Sequence, residues 1–208
     1  MKNNFTLIEL IVVIAIITVL AAIIALHAFQ AIEKSKISKV ISDMRAIKTA
    51  ALAYYADMGK VPCNKVGGMC KDPGFVSPIT AANCWPDQLI AGESCTAGSC
   101  LDGSAWDGSY LERWPEQNPW NPLVGCPGRF NWNHWPTYGP GGMASCSFVG
   151  MLTFETHHDG PPLSVLLKID KILDDGNLTT GKVFGVNGTT GVVDGVNPDF
   201  INYIIVCN

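Results

Sequence analysis

Charge is scarce in this chain. Asp, Glu, Lys and Arg make up only 15% of its 208 residues and the formal net charge is −4. No run of Lys or Arg forms the basic track that a polyanion requires, so nucleic acid is not an expected ligand. Catalytic signatures are also missing. There is no Gly-x-Ser-x-Gly elbow, phosphate loop or dinucleotide fingerprint, and no isolated Cys with a plausible His base, so no enzyme is predicted. Between Phe5 and Met58 there is neither Gly nor Pro, which leaves nothing to interrupt a helix. The cysteines contain no Cys-x-x-Cys pair, which removes the usual zinc knuckle.

Apolar residues are abundant but unevenly placed. They make up 48% of the chain and crowd its first thirty positions. From Leu10 to Leu26 the sequence is almost unbroken Leu, Ile, Val and Ala. That is roughly 26 Å of helix, and counting from Phe5 it is long enough to cross a bilayer. A secretory signal would end at a small-residue cleavage site, whereas this run continues into a polar helical stretch. There, Ile37, Val40, Ile41, Met44, Ile47, Ala51, Tyr55 and Met58 form a stripe of 3.6-residue period. Lys39, Asp43 and Asp57 fall opposite, and Lys48 lies inside the stripe and needs a partner or a path to solvent. Gly59 and Pro62 end the helix.

Eight cysteines, Cys63, Cys70, Cys84, Cys95, Cys100, Cys126, Cys146 and Cys207, all follow this helix. Their even number predicts disulfides in an oxidising compartment, with about 105 connectivities open. Strands are predicted over Ser147–Glu155, Lys182–Val186 and Asn202–Cys207, and a short helix over Leu163–Leu173. Stretches such as Pro62–Gly74 and His134–Gly142 read as loops. Asp174-Asp175-Gly176-Asn177 is turn chemistry. The six tryptophans, at 85, 106, 114, 120, 132 and 135, are read as filling a small core, with an aromatic binding face as the rival. His157, His158 and Asp159, with His134, read as polar loop, because adjacent residues of an extended chain point to opposite faces. Asn177 and Asn187 begin Asn-x-Thr sequons, weak signals for glycosylation.

One residue does not suit a passive anchor. Glu9 places a carboxylate near the start of the apolar run, where a charge costs up to about 3 kcal/mol at a bilayer centre and less near its edge. Its surroundings, Phe5-Thr6-Leu7-Ile8-Glu9-Leu10 followed by Ile11-Val12-Val13-Ile14-Ala15-Ile16-Ile17, resemble the class III signal of type IV pilins and type II secretion pseudopilins. Two further stretches are similar to pilin segments: Tyr110-Leu111-Glu112-Arg113-Trp114-Pro115 with Asn118-Pro119-Trp120-Asn121-Pro122, and Ile169 to Asn177 followed by Thr180-Gly181-Lys182-Val183.

The resemblance implies a prepilin peptidase that cuts between Asn4 and Phe5 and N-methylates Phe5. It also implies that Glu9 meets a neighbouring subunit's N-terminus and sets the register of a filament. Two positions depart from the family pattern: Asn4 stands where Gly is usual before the cut, and Leu26 stands where a Pro is usual. The expected fold is α+β, a long N-terminal helix, part membrane span and part amphipathic spine, packed on a small antiparallel sheet with Cys-rich loops. The expected divisions are residues 1–4 as leader, 5–29 as transmembrane and filament-core helix, 30–58 as its amphipathic half and 59–208 as an extracytoplasmic disulfide-rich head.

The expected function is that of a major pilin, with a type II secretion pseudopilin or a tip-located adhesion or DNA-uptake pilin as alternatives. Expected partners are further copies of the chain, the prepilin peptidase, the assembly platform and motor, and the inner membrane before assembly. The precursor would lie in the cytoplasmic membrane and the mature chain in a cell-surface filament. No cofactor is expected. Major pseudopilins hold calcium in a C-terminal loop, so Asp170, Asp174, Asp175 and Asn177 have calcium as a rival to the turn reading, although their spacing matches no known loop signature.

Overall fold

The computed structural model describes residues 6–59, 62, 72–78, 106–115, 119–120, 130–135, 146–152, 161–186, 193–196, 198 and 200–207. The chain divides into two compact units, Met1–Ser38 and Lys39–Asn208.

Helix α1 runs from Leu7 to Met58, as the absence of Gly and Pro predicts. Its start is held by a capping box: the Thr6 hydroxyl accepts from the Glu9 N–H at 3.4 Å, and Glu9 Oε2 accepts from the Thr6 N–H at 2.8 Å. This reciprocal pair satisfies two donors that a helix start otherwise leaves open. At the other end Gly59 adopts φ 66 and donates to the Tyr55 carbonyl at 2.9 Å, a left-handed stop that a side chain would resist.

In the first unit every residue from Thr6 to Ile32 is exposed. Within this apolar run the Thr18 hydroxyl is satisfied locally by the Ile14 and Ala15 carbonyls.

The second unit contains the remainder of α1 and the sheet. Val40, Ile41, Met44, Ile47, Ala50, Ala51 and Tyr54 are buried on one face of α1. Tyr55, assigned to that stripe by sequence, is instead 39% exposed, and Tyr54 takes its place. At 100° per residue Tyr55 lies about 80° round the helix from Ile47, whereas Tyr54 lies only about 20° away. On the outer face Lys39 pairs with Asp43 at 2.8 Å, an exposed i,i+4 pair worth a few tenths of a kcal/mol.

Among the described residues four antiparallel strands follow: β1 Phe130–Trp135, β2 Cys146–Leu152, β3 Val183–Val186 and β4 Phe200–Cys207, in spatial order β1-β2-β4-β3. Three of them match predicted strands. The first corrects the sequence reading, since His134 and Trp135 lie in β1 and not in a loop. The β2–β4 ladder shifts register between Ser147 and Phe148. At the β3 edge Val186 bridges to Val193, and the Asp194 N–H donates to the Gly185 carbonyl at 2.9 Å, so part of that edge is paired.

Helix α2, Leu163–Leu173, has the predicted bounds. It follows Pro161-Pro162, with the Pro162 carbonyl accepting from Val165 and Leu166. Val165, Leu166, Ile169 and Asp170 form its buried face. The last of these is a carboxylate where an apolar residue would be expected.

Candidate functional site

Among the described residues two places carry chemistry. The first is the start of α1. Asn4 and Phe5 lie outside the described residues, but Glu9 sits in the first helical turn with its carboxylate folded back on Thr6, taking both the backbone N–H at 2.8 Å and the hydroxyl at 2.7 Å. An anion here also complements the positive end of the helix dipole. Beyond it Leu7 to Ile32 present large apolar side chains around the whole circumference, from 45% exposed at Val13 to 76% at Leu7. This helix is long and apolar enough to cross a membrane by length and composition. The Thr6–Glu9 box was readable as Thr-x-x-Glu before an apolar run, although sequence reasoning assigned Glu9 only to a neighbour's N-terminus.

In the second unit the amphipathic half of α1 is fastened by aromatic contacts. Tyr54 meets Phe75 and Tyr110 edge-on at centroid distances of 5.9 and 5.5 Å, and Phe75 meets Trp132 edge-on at 5.1 Å. The Phe75 carbonyl accepts from the Tyr110 and Leu111 N–H groups. Asp72 shapes the turn before it, its Oδ1 accepting from Gly74, Phe75 and Val76. Trp114 and Trp132 are buried, which agrees with the core reading of these two tryptophans. Trp85 lies outside the described residues. The Trp106 indole N–H donates to the Gly74 carbonyl at 3.0 Å.

The second place is the turn after α2. The Asp174 N–H donates to the Asp170 carbonyl at 2.6 Å, closing the helix. The Asp174 carboxylate then turns forward and accepts from the Lys182 and Val183 N–H groups. Asp175 accepts from the Asn177 N–H at 2.8 Å and the Thr180 hydroxyl at 2.7 Å. These bonds, the Thr180 hydroxyl first, lower its pKa below the usual carboxylate value.

Asp170 is different. It is 0% exposed and both its carboxylate oxygens lack a hydrogen-bond partner. Burial first, then the charge of Asp175 and that of Asp174, push its pKa up to about 6, while the nearby Asp175 and Gly176 backbone N–H groups offset part of that rise without reaching hydrogen-bond geometry. One oxygen from each of Asp170, Asp174 and Asp175 lies within 4.8 Å of the others.

Asn177, proposed with these three from sequence, does not join them. Its side-chain oxygen accepts from the Thr179 N–H at 3.1 Å and hydroxyl at 2.8 Å, so it belongs to the turn. Among the cysteines, Cys146 and Cys207 are Cα partners across β2 and β4. Cys63, Cys70, Cys84, Cys95, Cys100 and Cys126 lie outside the described residues, as do His157, His158, Asp159 and Asn187.

Residues 31–123, somewhat under half of the chain, match the family model described as PilW, C-terminal. No curated protein matches the chain. Among solved structures, the major type IV pilin PilA1 from Clostridium difficile is similar, at 15% sequence identity and a TM-score of 0.47, with 85% of this chain and 98% of that one covered. The long exposed apolar helix α1, the Phe-Thr-Leu-Ile-Glu-Leu sequence at its start and a family match that continues through the amphipathic half into the aromatic segments together make this chain similar to type IV pilus proteins.

Proposed function

We propose that the chain is a major pilin, polymerising through its N-terminal helix into a type IV pilus-like extracellular filament. In this reading a prepilin peptidase removes residues 1–4 and methylates Phe5. The subunit waits in the cytoplasmic membrane on residues 5–29, and the assembly platform and motor lift it into the filament, with residues 59–208 on the outside. The carrying observation is the single carboxylate of Glu9 at the head of a helix whose exposed surface is apolar on nearly every side through Leu26. Such a surface is stable only in lipid or against other apolar helices. Burial of each Leu, Ile or Val side chain is worth about 1.5–3 kcal/mol, so close helical packing supplies ample cohesion once subunits leave the bilayer.

Cohesion alone does not choose a stagger. A smooth apolar helix slides along its neighbour at little cost, whereas a buried carboxylate that meets a buried amino group in only one stagger penalises all others. Glu9 supplies that carboxylate and the mature N-terminus of the adjoining subunit supplies the amino group. The work of the protein is assembly and not catalysis.

Trp114 and Trp132 are committed to packing, which speaks against a tip pilin that uses these two rings for binding. The test is Glu9→Val, expressed in the native cells. Membrane insertion and the folded head are expected to persist while surface filaments disappear. Filaments of normal number and morphology from this variant would refute the register role.

A further inference from the structure

The turn between α2 and β3 is anchored by one residue and open on both sides of it. Leu178 is 1% exposed, and its carbonyl accepts from the Gly185 N–H at 2.9 Å. Its neighbours Asn177 and Thr179 are both exposed. The three residues form an Asn-x-Thr triplet, and the structure joins its two outer members. Asn177 Oδ1 accepts from the Thr179 N–H at 3.1 Å and from the Thr179 hydroxyl at 2.8 Å.

These bonds use the oxygen of the Asn177 carboxamide and leave its nitrogen over. Among the described residues Nδ2 has no hydrogen-bond partner. The turn itself does not need that nitrogen, since Asp175 and Asp174 hold neighbouring N–H groups with oxygens alone. An aspartate at position 177 could make both bonds to Thr179, with one more negative charge as the difference.

We propose that Asn177 is an N-glycosylation site, and that its donor is an oligosaccharide carried on a polyprenyl diphosphate. A carboxamide nitrogen is a weak nucleophile because its lone pair is shared with the carbonyl. Two hydrogen bonds to Oδ1 stabilise the negative charge that develops there when Nδ2 gives up a proton, so they favour that loss. In the transfer, Nδ2 bonds to the anomeric carbon of the sugar. The bond from that carbon to the diphosphate oxygen breaks, its electron pair leaves with the lipid diphosphate, and the Nδ2 proton passes to a base of the transferase.

The fold accommodates the product. The middle residue of such a triplet can be any except proline, so the burial of Leu178 does not conflict with recognition. A glycan is bulky and hydrophilic and needs a surface position, which the exposed Asn177 provides at the outer side of the turn. This inference rests on the reading of residues 59–208 as an extracytoplasmic head, because Asn-linked acceptors belong to surface loops of exported proteins.

The experiment takes the full-length chain from membrane and sheared fractions of the native cells and maps its proteolytic peptides by mass spectrometry. Fragmentation is expected to place a discrete sugar mass on Asn177. Thr179→Val keeps the methyl group that lies against Gly195 and removes the hydroxyl, and is expected to lose the sugar. Thr179→Ser keeps the hydroxyl and is expected to retain it. Asn177→Asp keeps the oxygen that holds Thr179 and is expected to lose the sugar, with the head still unfolding cooperatively. The proposal is overturned if Asn177 is bare in the parent, if the sugar sits elsewhere, or if Thr179→Val is modified as fully as the parent. The same spectra read the N-terminus. A chain that starts at Phe5 with Asn177 bare overturns this inference and leaves the filament reading standing, whereas one that starts at Met1 with Asn177 glycosylated does the reverse.

Discussion

Lys48 of α1 donates a hydrogen bond to the Tyr203 hydroxyl of β4 at 3.0 Å, and its ammonium lies 4.9 Å from the centroid of the same ring. A lysine inside an apolar stripe is an anomaly in sequence, and the anomaly is resolved by one aromatic residue 155 positions later. The pair ties the helical spine to a central strand.

Two substitutions separate the parts of this contact. Tyr203→Phe removes the hydroxyl and keeps the ring, and is expected to cost about 0.5–1.5 kcal/mol. Lys48→Met removes both the hydrogen bond and the cation–π attraction, the latter worth about 0.5–1 kcal/mol more, partly regained through the apolar methionine. A double-mutant cycle by denaturant unfolding is expected to give a coupling of roughly 1 kcal/mol. Strict additivity would show that the contact contributes nothing.

Trp132 lies against Phe75 and donates its indole N–H to the Pro62 carbonyl at 2.9 Å, both partners being buried. Trp132→Phe preserves an aromatic ring but leaves that carbonyl unsatisfied. A loss of about 1–3 kcal/mol is expected from the orphaned acceptor, with a further contribution from lost volume. Thermal unfolding of the purified chain measures it. An unchanged midpoint would mean that the carbonyl finds another donor.

Gly181 holds φ 76 over the Asp174 carboxylate. Gly181→Ala is expected to destabilise the head by about 2 kcal/mol or more, combining the left-handed backbone penalty with displacement of Asp174. Thermal unfolding in chelator checks this apart from any metal. Unaltered stability would show that the turn has a second, equally good conformation.

The Thr6–Glu9 box and the register role of Glu9 are separable. Thr6→Val removes the hydroxyl that caps the helix but leaves the carboxylate, so at most about 1 kcal/mol of helix-start stability is lost. Filament yield is expected to stay close to that of the parent in electron micrographs of sheared material, whereas Glu9→Val abolishes it. Equal loss in both variants would assign Glu9 a capping function instead.

The parts of the fold readable in the sequence are those with a long period and a clear stop. Helix α1 had its stripe and Gly59, and α2 had Pro161-Pro162 before it and Asp174 to Asn177 after. Strand β1, Phe-Asn-Trp-Asn-His-Trp, was missed because polar residues fill half of it. Its signal was the period-two pair Phe130 and Trp132, both buried, which alternate with Asn131 and Asn133 as a half-buried strand should. Tyr54 was passed over for Tyr55 because adjacent tyrosines suit either register of a stripe, and only their partners Phe75 and Tyr110 decide between them. In the acidic turn the residue types were visible, but their roles were not. Asn177 and the three aspartates look alike in sequence, and what separates them is that Asn177 is spent on Thr179 while Asp170 is enclosed without a partner.

The most direct test of the filament reading is cryo-electron microscopy of fibres sheared from the native cells, with N-terminal mass spectrometry of the same preparation. The account predicts a helical polymer of this chain beginning at methylated Phe5, with Glu9 beside the N-terminus of an adjoining subunit. Fibres that lack the chain, with an intact Met1 terminus recovered from the membrane fraction, would contradict it.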